Sequence, residues 1–303
     1  MTVLIGVDWG GTKIEALAMR PDGTELVRIR KDTPAGDYEA CVRMVADLAL
    51  EAEARAGEAG LIGIGIPGSL DPRTGIAKGC NSTWLLGRQV EQDVVAALGG
   101  REVRLENDAD CLASSEAIDG AGAGHRVVFA VILGTGNGAG IAIDGRPHSG
   151  PNNSAGEWGH SPLPYPDLTE IPGTPCYCGK HGCQETWTSG TGFQNDYFRH
   201  TGKRAKSVEI MALYRDGDRL AKLVFERYVD RLARGLSVVA NTLDPDIFVL
   251  GGGMSNIDEL YRDLPERIAH YTFSPVFYTQ VVKAKHGDSS GVRGAAWLWK
   301  DRI

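Results

Sequence analysis

The sequence predicts a mixed α/β protein built of two related halves, on three observations. The chain opens with a strand, a glycine turn and a strand; the same succession returns at residue 127; and amphipathic helical stretches lie among the strands. Residues 2–7 are apolar and β-branched, Asp8-Trp9-Gly10-Gly11 is turn chemistry, and residues 13–19 alternate around Ile14, Ala16 and Ala18, which is a hairpin signature. Residues 25–30 complete a meander. Residues 37–56 carry Cys41, Met44, Val45, Leu48 and Ala52 at spacings of three and four, the buried face of a helix that covers the sheet. Residues 61–66 return as a strand ended by Pro67-Gly68, and a short strand at 103–105 delivers Glu106-Asn107-Asp108 to its tip.

The second block follows a glycine-rich linker at 120–124. It reads as a strand at 127–133, a Gly-x-Gly-x-Gly-x-Gly turn and a strand at 139–143, so the two halves share an opening although their residue-by-residue likeness is weak. Residues 147–192 are rich in Pro, Gly, Asn and Cys and have no periodicity; a loop this long is functional or pinned by something. Leu220, Leu223, Val224, Tyr228, Leu232, Leu236, Val239 and Leu243 mark a long helix broken at Asp244-Pro245. A strand at 247–250 runs into Gly251-Gly252-Gly253. A last helix, 291–299, packs Ala295, Ala296 and Leu298 and returns to the first domain. The expected domains are a smaller one at 1–118, joined by the C-terminal helix 289–303, and a larger one at 119–288.

Composition removes several function classes. The formal charge of −7 comes with no basic block, which argues against a nucleic-acid or membrane surface and for a small soluble partner. The longest apolar run, 127–133, is far short of the roughly 20 residues of a membrane helix. The first residues lack the basic flank and apolar segment of a secretory signal, so the expected location is cytoplasmic. Glycine, 40 of 303 residues, exceeds its usual share of about 7% and clusters in three turns that must approach something closely. Of six cysteines, Cys41, Cys80 and Cys111 stand apart and read as buried small hydrophobes, whereas Cys176, Cys178 and Cys183 fall together.

The first glycine turn, Asp8-x-Gly10-Gly11-Thr12-Lys13, is not a Walker P-loop, because Thr12 precedes Lys13 and a strand follows where that motif needs a helix. It supplies backbone amides, a hydroxyl, an ammonium and a carboxylate, the parts of a nucleotide-phosphate and Mg²⁺ site; alone, it is equally an ordinary tight turn. Gly134-Thr135-Gly136 repeats the pattern, and two such turns across a cleft would grip a polyphosphate from both sides. Gly251-Gly252-Gly253 could let a base or ribose lie close to bare backbone, or could simply turn strand into helix.

Cys176, Cys178 and Cys183 with His160 upstream form a closed tetrahedral Zn²⁺ set. Cys176 and Cys178 are too close to pair comfortably and three thiols leave one over, so a disulfide fits poorly. His181 competes as fourth ligand but lies inside the cysteine loop. Such a site has no position for water, so its expected role is to fold the loop of the larger domain. Asp108 and Asp110 are equally placed by sequence: one suits a general base for a hydroxyl substrate, the other a helix cap. Either could also be a solvated surface charge, and Glu157 and Glu185, which flank the cluster, likewise lie near predicted loops.

Together these motifs resemble sugar kinases of the ROK family (repressors, open reading frames and kinases). The resemblance runs from Gly6 to Ala296 and rests on Asp8-x-Gly-Gly-Thr-Lys13, Pro67-Gly68, Asn107-Asp108, Gly134-Thr-Gly136, Glu157-x-Gly-His160, Cys176-x-Cys-Gly-x-x-Gly-Cys-x-Glu185 and Gly251-Gly-Gly253. Within the family, Asn81-Ser-Thr-Trp84 and the stretch 284–291 look most like bacterial fructokinases that also accept mannose. The resemblance implies the actin-like ATPase (ribonuclease H-like) fold with two α/β domains around a central cleft. It implies transfer of the ATP γ-phosphoryl group, with Mg²⁺, to the 6-hydroxyl of a hexose, D-fructose first and mannose second. Glucose and N-acetylhexosamines are the rival acceptors.

By the same matching Asp108 is the base; Asn107, Glu157, His160 and Glu185, with Gly68 and Asn81, hold the sugar. Asp8, Gly10, Gly11, Thr12, Lys13, Gly134, Thr135 and Gly136 take the phosphates, Gly252 borders the adenosine, and His160, Cys176, Cys178 and Cys183 bind structural Zn²⁺. The family's usual Asn-Leu is Asn81-Ser82 here. The resemblance also implies a homodimer. A sugar-responsive repressor of the same family is disfavoured by a first strand that starts at Thr2, without room for a helix-turn-helix, and by the negative charge. A chaperone-like ATPase would lack the cysteine loop and Asn107-Asp108.

Overall fold

The structure, a computed structural model, describes residues 2–274, 276–287 and 290–303. Asp288 and Ser289, part of the 284–291 stretch, lie outside the described residues. In chain order the elements are β1 (Val3–Trp9), β2 (Lys13–Met19), β3 (Glu25–Asp32), α1 (Tyr38–Ala56), β4 (Gly60–Ile66), β5 (Ser69–Leu70), β6 (Ala77–Lys78), α2 (Val90–Ala97), β7 (Val103–Asn107) and α3 (Asp108–Ile118). There follow β8 (Val127–Leu133), β9 (Asn137–Ile143), β10 (Arg146–Pro147), α4 (Glu185–Thr188), α5 (Gly190–Thr201), α6 (Ser207–Arg215), α7 (Arg219–Leu243), β11 (Ile247–Gly251), α8 (Glu259–Tyr271), β12 (Gln280–Lys283) and α9 (Ser290–Trp297). The chain divides into two compact units: residues 1–124, 140–155 and 288–303, and residues 125–139 and 156–287. This division departs from the expected boundary at 118/119. The passage between units falls inside β9, so residues 140–155 belong to the first unit rather than to one unbroken domain from 119 to 288.

In the first unit five strands run in the order β3-β2-β1-β4-β7. The meander β1-β2-β3 is antiparallel, and β4 and β7 join it in parallel. Period-two alternation sorts β1: Val3, Ile5 and Val7 belong to the core that includes Cys41, Val45, Leu48 and Ala52 of α1, while Leu4 packs with Val292 and Ala296 of α9. Asp37 starts α1 by accepting the Ala40 N–H at 3.0 Å, and Gly57 ends it in the left-handed region. The α9 side is closely packed. A Cβ on Gly6 would lie 2.0 Å from Val292 O, and one on Gly63 1.9 Å from Ala295 O, so only glycine admits this helix onto the sheet.

In the second unit β8, β11 and β12 are parallel neighbours. Asp246 fixes the start of β8, its Oδ2 accepting the N–H groups of Arg126 at 2.9 Å and Val127 at 2.7 Å. The long helix α7 buries Val224, Tyr228, Leu232, Leu236 and Val239 as expected, but Leu220 and Leu223, read as part of the same face, are exposed near its N-terminal end. Cys41, Cys80 and Cys111 are buried free thiols. No described helix is long and apolar enough to cross a membrane.

Candidate active site

In the first unit β7 runs directly into α3, and the junction carries the predicted carboxylates. Asn107, not either aspartate, is the helix cap: its Oδ1 accepts from Ala109 N at 2.8 Å and Asp110 N at 3.4 Å, and its Nδ2 donates to the Gly68 carbonyl at 3.0 Å. The expectation that one of Asp108 and Asp110 caps the helix is thereby corrected. Asp110 is buried, its Oδ1 accepting the Ile141 N–H at 3.3 Å, and burial with Glu106 beside it lifts its carboxyl to about 8. Asp108, on the first turn, is partly exposed and accepts the Ala109 N–H at 2.8 Å. Of the two it is the carboxylate a substrate can reach.

Asp8, next to last in β1, pairs opposite Glu15. Burial, and after it the carboxylates of Asp108 and Glu15, push the Asp8 carboxyl up to about 7 against the pull of Arg30. A carboxyl so placed has much to gain from a cation. The turn beyond it is closed by Gly10 N–H donating to Lys13 O at 3.0 Å and is held by Thr33, whose Oγ1 donates to Gly10 O at 2.8 Å and whose N–H donates to Thr12 O. Thr12 and Lys13 are exposed and Gly11 is half-buried, so the tip is accessible. Gly68 and Asn81 belong to the same unit, Asn81 with its side chain exposed.

In the second unit Gly134 N–H donates to Gly136 O at 3.0 Å, and Gly134 O accepts the Gly190 N–H that opens α5 at 2.8 Å. The turn, the start of α5, α6 and the 3-10 turn Gly253–Asn256 enclose a cavity of about 660 Å³. Leu133, Val208, Met211, Met254 and Ile257 supply apolar surface; Gln194, Ser207, Lys206 and Arg215 supply polar groups. An apolar slot ending at a glycine turn suits a nucleotide base and its phosphates. Gly253 lines this cavity, whereas Gly252, the expected adenosine neighbour, lies against backbone: a Cβ there would be 2.7 Å from Leu133 C and O.

His160, Cys176, Cys178 and Cys183 bring one ligand atom each to within 4.8 Å of one another. Cys176 Sγ is 3.5 Å from His160 Nδ1, and Cys178 Sγ is 3.6 Å from Cys183 Sγ. A tetrahedral zinc with bonds of about 2.3 Å to sulfur and 2.0 Å to nitrogen has edges of about 3.8 and 3.6 Å, so the donor set fits that ion. His181 is exposed, paired by backbone with Pro175, and outside the cluster. Glu157 and His160 share a 3-10 turn, with His160 Nε2 3.9 Å from Glu157 Oε2, and Glu185 Oε1 is 3.8 Å from Cys176 Sγ.

The model of the ROK family matches residues 4–302. The chain belongs to the ROK family. It is 40% identical over 97% of its length, and 98% of the relative's, to an N-acetyl-D-glucosamine kinase of Photobacterium profundum, and 39% identical, over 97% of each chain, to one of Pectobacterium atrosepticum. Among solved structures it is similar to a ROK hexokinase from Thermus thermophilus, at 29% identity with a TM-score of 0.87 over 98% and 97% of the two chains. It is also similar to a ROK glucokinase from Streptomyces griseus solved with glucose and AMPPNP, at 28% identity with a TM-score of 0.80 over 98% of each chain. The fold is thus the actin-like ATPase fold expected from the motifs, and the chain is an ATP-dependent sugar kinase, a phosphotransferase with an alcohol acceptor.

Two parts of this ROK kinase's site went unseen in the sequence. The cavity wall on α5 and α6 lies outside the glycine turns and cysteine motif on which the sequence reading rests. The second is an ion cluster behind the cysteine loop. Buried Glu170 takes Arg231 Nε at 2.7 Å and both Arg234 Nη atoms at 2.9 Å, while Arg231 Nη1 reaches Asp196 at 2.8 Å. Arg231 also lies over the Trp187 ring at 4.4 Å, two residues from Glu185. In the sequence Arg231 and Arg234 stand three apart among the other charged positions of α7, and nothing local marks them as buried.

Proposed function

We propose that this ROK kinase transfers the γ-phosphoryl group of ATP to the 6-hydroxyl of N-acetyl-D-glucosamine. The observation that carries the acceptor is the 40% identity, end to end, with a kinase named for that sugar. Fructose, the acceptor suggested by residues 81–84 and 284–291, draws no support from the relatives above, whose names concern N-acetyl-D-glucosamine, hexose and glucose.

Asp108 is the base. It is the reachable carboxylate of the pair, and it takes the 6-hydroxyl proton as the oxygen attacks in line. By the family resemblance, Gly68, Asn81, Asn107, Glu157, His160 and Glu185 supply acceptors and donors for the remaining hydroxyls. Backbone amides of the turns Asp8 to Lys13 and Gly134 to Gly136, with Thr12, Lys13 and Thr135, hold the phosphates and spread their developing charge. Asp8 would hold the nucleotide's Mg²⁺, which would neutralise charge on the phosphates. The adenine of ATP occupies the cavity beside Gly253, with Gly252 shaping the turn behind it. His160, Cys176, Cys178 and Cys183 would hold a Zn²⁺ ion, which would supply folding energy to the loop.

A coupled ATP-consumption assay over N-acetylglucosamine, N-acetylmannosamine, glucose, mannose and fructose, with product analysis at carbon six, tests this reading. The expected result is the highest kcat/KM with N-acetylglucosamine. A preference for fructose would restore the acceptor suggested by the sequence, and ATP use without any phosphosugar would exclude a sugar kinase.

A further inference from the structure

His160 turns its two ring nitrogens to different neighbours. Nδ1 faces Cys176 Sγ at 3.5 Å within the ligand cluster, while Nε2 lies 2.9 Å from the Tyr177 hydroxyl. With Nδ1 ligating a metal ion in the cluster, Nε2 would carry the ring proton and donate it to Tyr177 Oη. An imidazole N–H makes one strong, in-line hydrogen bond, so whatever else is to receive that bond must displace the tyrosine. Tyr177 is built to leave. It stands between two cysteines of the cluster, is 67% exposed, and touches His160 edge-on with ring centroids 5.0 Å apart, so its side chain can swing aside without opening any core. Glu157, whose Oε2 is 3.9 Å from the same Nε2, marks that nitrogen as facing polar groups rather than packing.

We propose that Tyr177 is a displaceable cap on the acceptor site: its hydroxyl holds the His160 Nε2 hydrogen bond in the sugar-free enzyme and yields it to a hydroxyl of the incoming sugar. The inference rests on the reading of His160 as a sugar contact. The sugar then exchanges one bond for another instead of adding one, and its affinity is lower than His160 alone would give. Replacing the tyrosine hydroxyl by hydrogen removes an intramolecular competitor and leaves only water in its place. At the usual worth of a hydrogen bond, the gain is about threefold to tenfold in affinity.

The test compares wild type with Tyr177→Phe and Tyr177→Leu by calorimetric titration of N-acetylglucosamine, steady-state kinetics, bound zinc and thermal melting. Both variants are expected to lower Kd and KM for the sugar about threefold to tenfold, with KM for ATP, zinc content and melting temperature unchanged. An unchanged sugar KM in Tyr177→Phe overturns the cap. A KM that rises in both variants overturns it as well, and makes the tyrosine a direct sugar contact. If wild type itself binds no N-acetylglucosamine, the functional reading falls first and the cap falls with it.

Discussion

Glu170 receives both terminal nitrogens of Arg234, each at 2.9 Å, and so fastens the polypeptide just before the cysteine hairpin to the middle of α7. The same carboxylate takes Arg231, and Arg234 also donates to the carbonyls of Pro164 and Tyr165 at 3.1 and 2.7 Å. The irregular segment is therefore pinned by charge at Glu170, and the proposed zinc at the ligand cluster would pin it a second time. Zinc alone was the pin expected from the sequence.

Chelation should therefore loosen residues 174–183 and spare residues 162–170. Hydrogen exchange with and without a chelator reads this directly, and simultaneous release of both stretches would contradict it. Glu170→Ala leaves two guanidinium groups buried with less compensation, a loss of about 3–5 kcal/mol by urea unfolding. Glu170 is held down at about 2, from an ordinary 4.5, despite the opposing cost of burial, because Arg234 and Arg231 hydrogen-bond to its charged form. Its contribution is full above pH 4.5 and is lost as pH falls towards 2, so the deficit of the alanine variant should shrink in acid.

Asp108→Asn should leave sugar affinity nearly intact and reduce kcat by about 10²–10⁴-fold, the usual worth of a positioned base. Single-turnover kinetics beside a sugar titration separates the two effects. Turnover close to wild type would take the base role from Asp108.

Asp8→Asn should make the nucleotide-free protein more stable while removing activity. The folded carboxyl titrates near 7 and the free one near 3.8, so the folded chain keeps a proton that the unfolded chain has released. Stability from this group is highest below pH 3.8 and declines as pH rises to 7. The gain in melting temperature of the asparagine variant over wild type should accordingly be larger at pH 8 than at pH 5. A gain equal at both values would show that the Asp8 charge is not what costs stability.

Gly253→Leu should raise KM for ATP at least tenfold while sugar KM stays put, because the cavity wall has open space around this residue for a side chain to enter. Gly252→Ala should instead lower the melting temperature, since φ is +78° there and the Leu133 backbone is in the way. Equal effects on ATP affinity from both positions would mean that the turn, not the cavity, binds the nucleotide.

Local patterns in the sequence declared most of the strands, α1, the core of α7 and the His160-Cys176-Cys178-Cys183 set, because period-two and period-three-to-four burial and soft-metal ligand spacing are written over short distances. Helix α3 was not legible for a physical reason. It is buried from Ala109 to Ala117 on every side, between β7 and the glycine-packed α9, so it has no polar face to create a period. The same junction misled the assignment of its cap. Asn107, Asp108 and Asp110 are all good capping residues by type, and only the exit direction of β7 decides that Asn107 Oδ1 meets the free N–H groups.

What the sequence determined by itself was the family, the α/β class and the residue types of the site, since turn chemistry and ligand spacing depend on neighbours in the chain. What only the tertiary structure decided was which of two nearby glycines lines a cavity, which aspartate stays within reach of solvent, and which arginines meet Glu170 across more than 60 residues. Those outcomes depend on burial and on through-space charge, which arise when distant segments pack and leave no period in the order of residues.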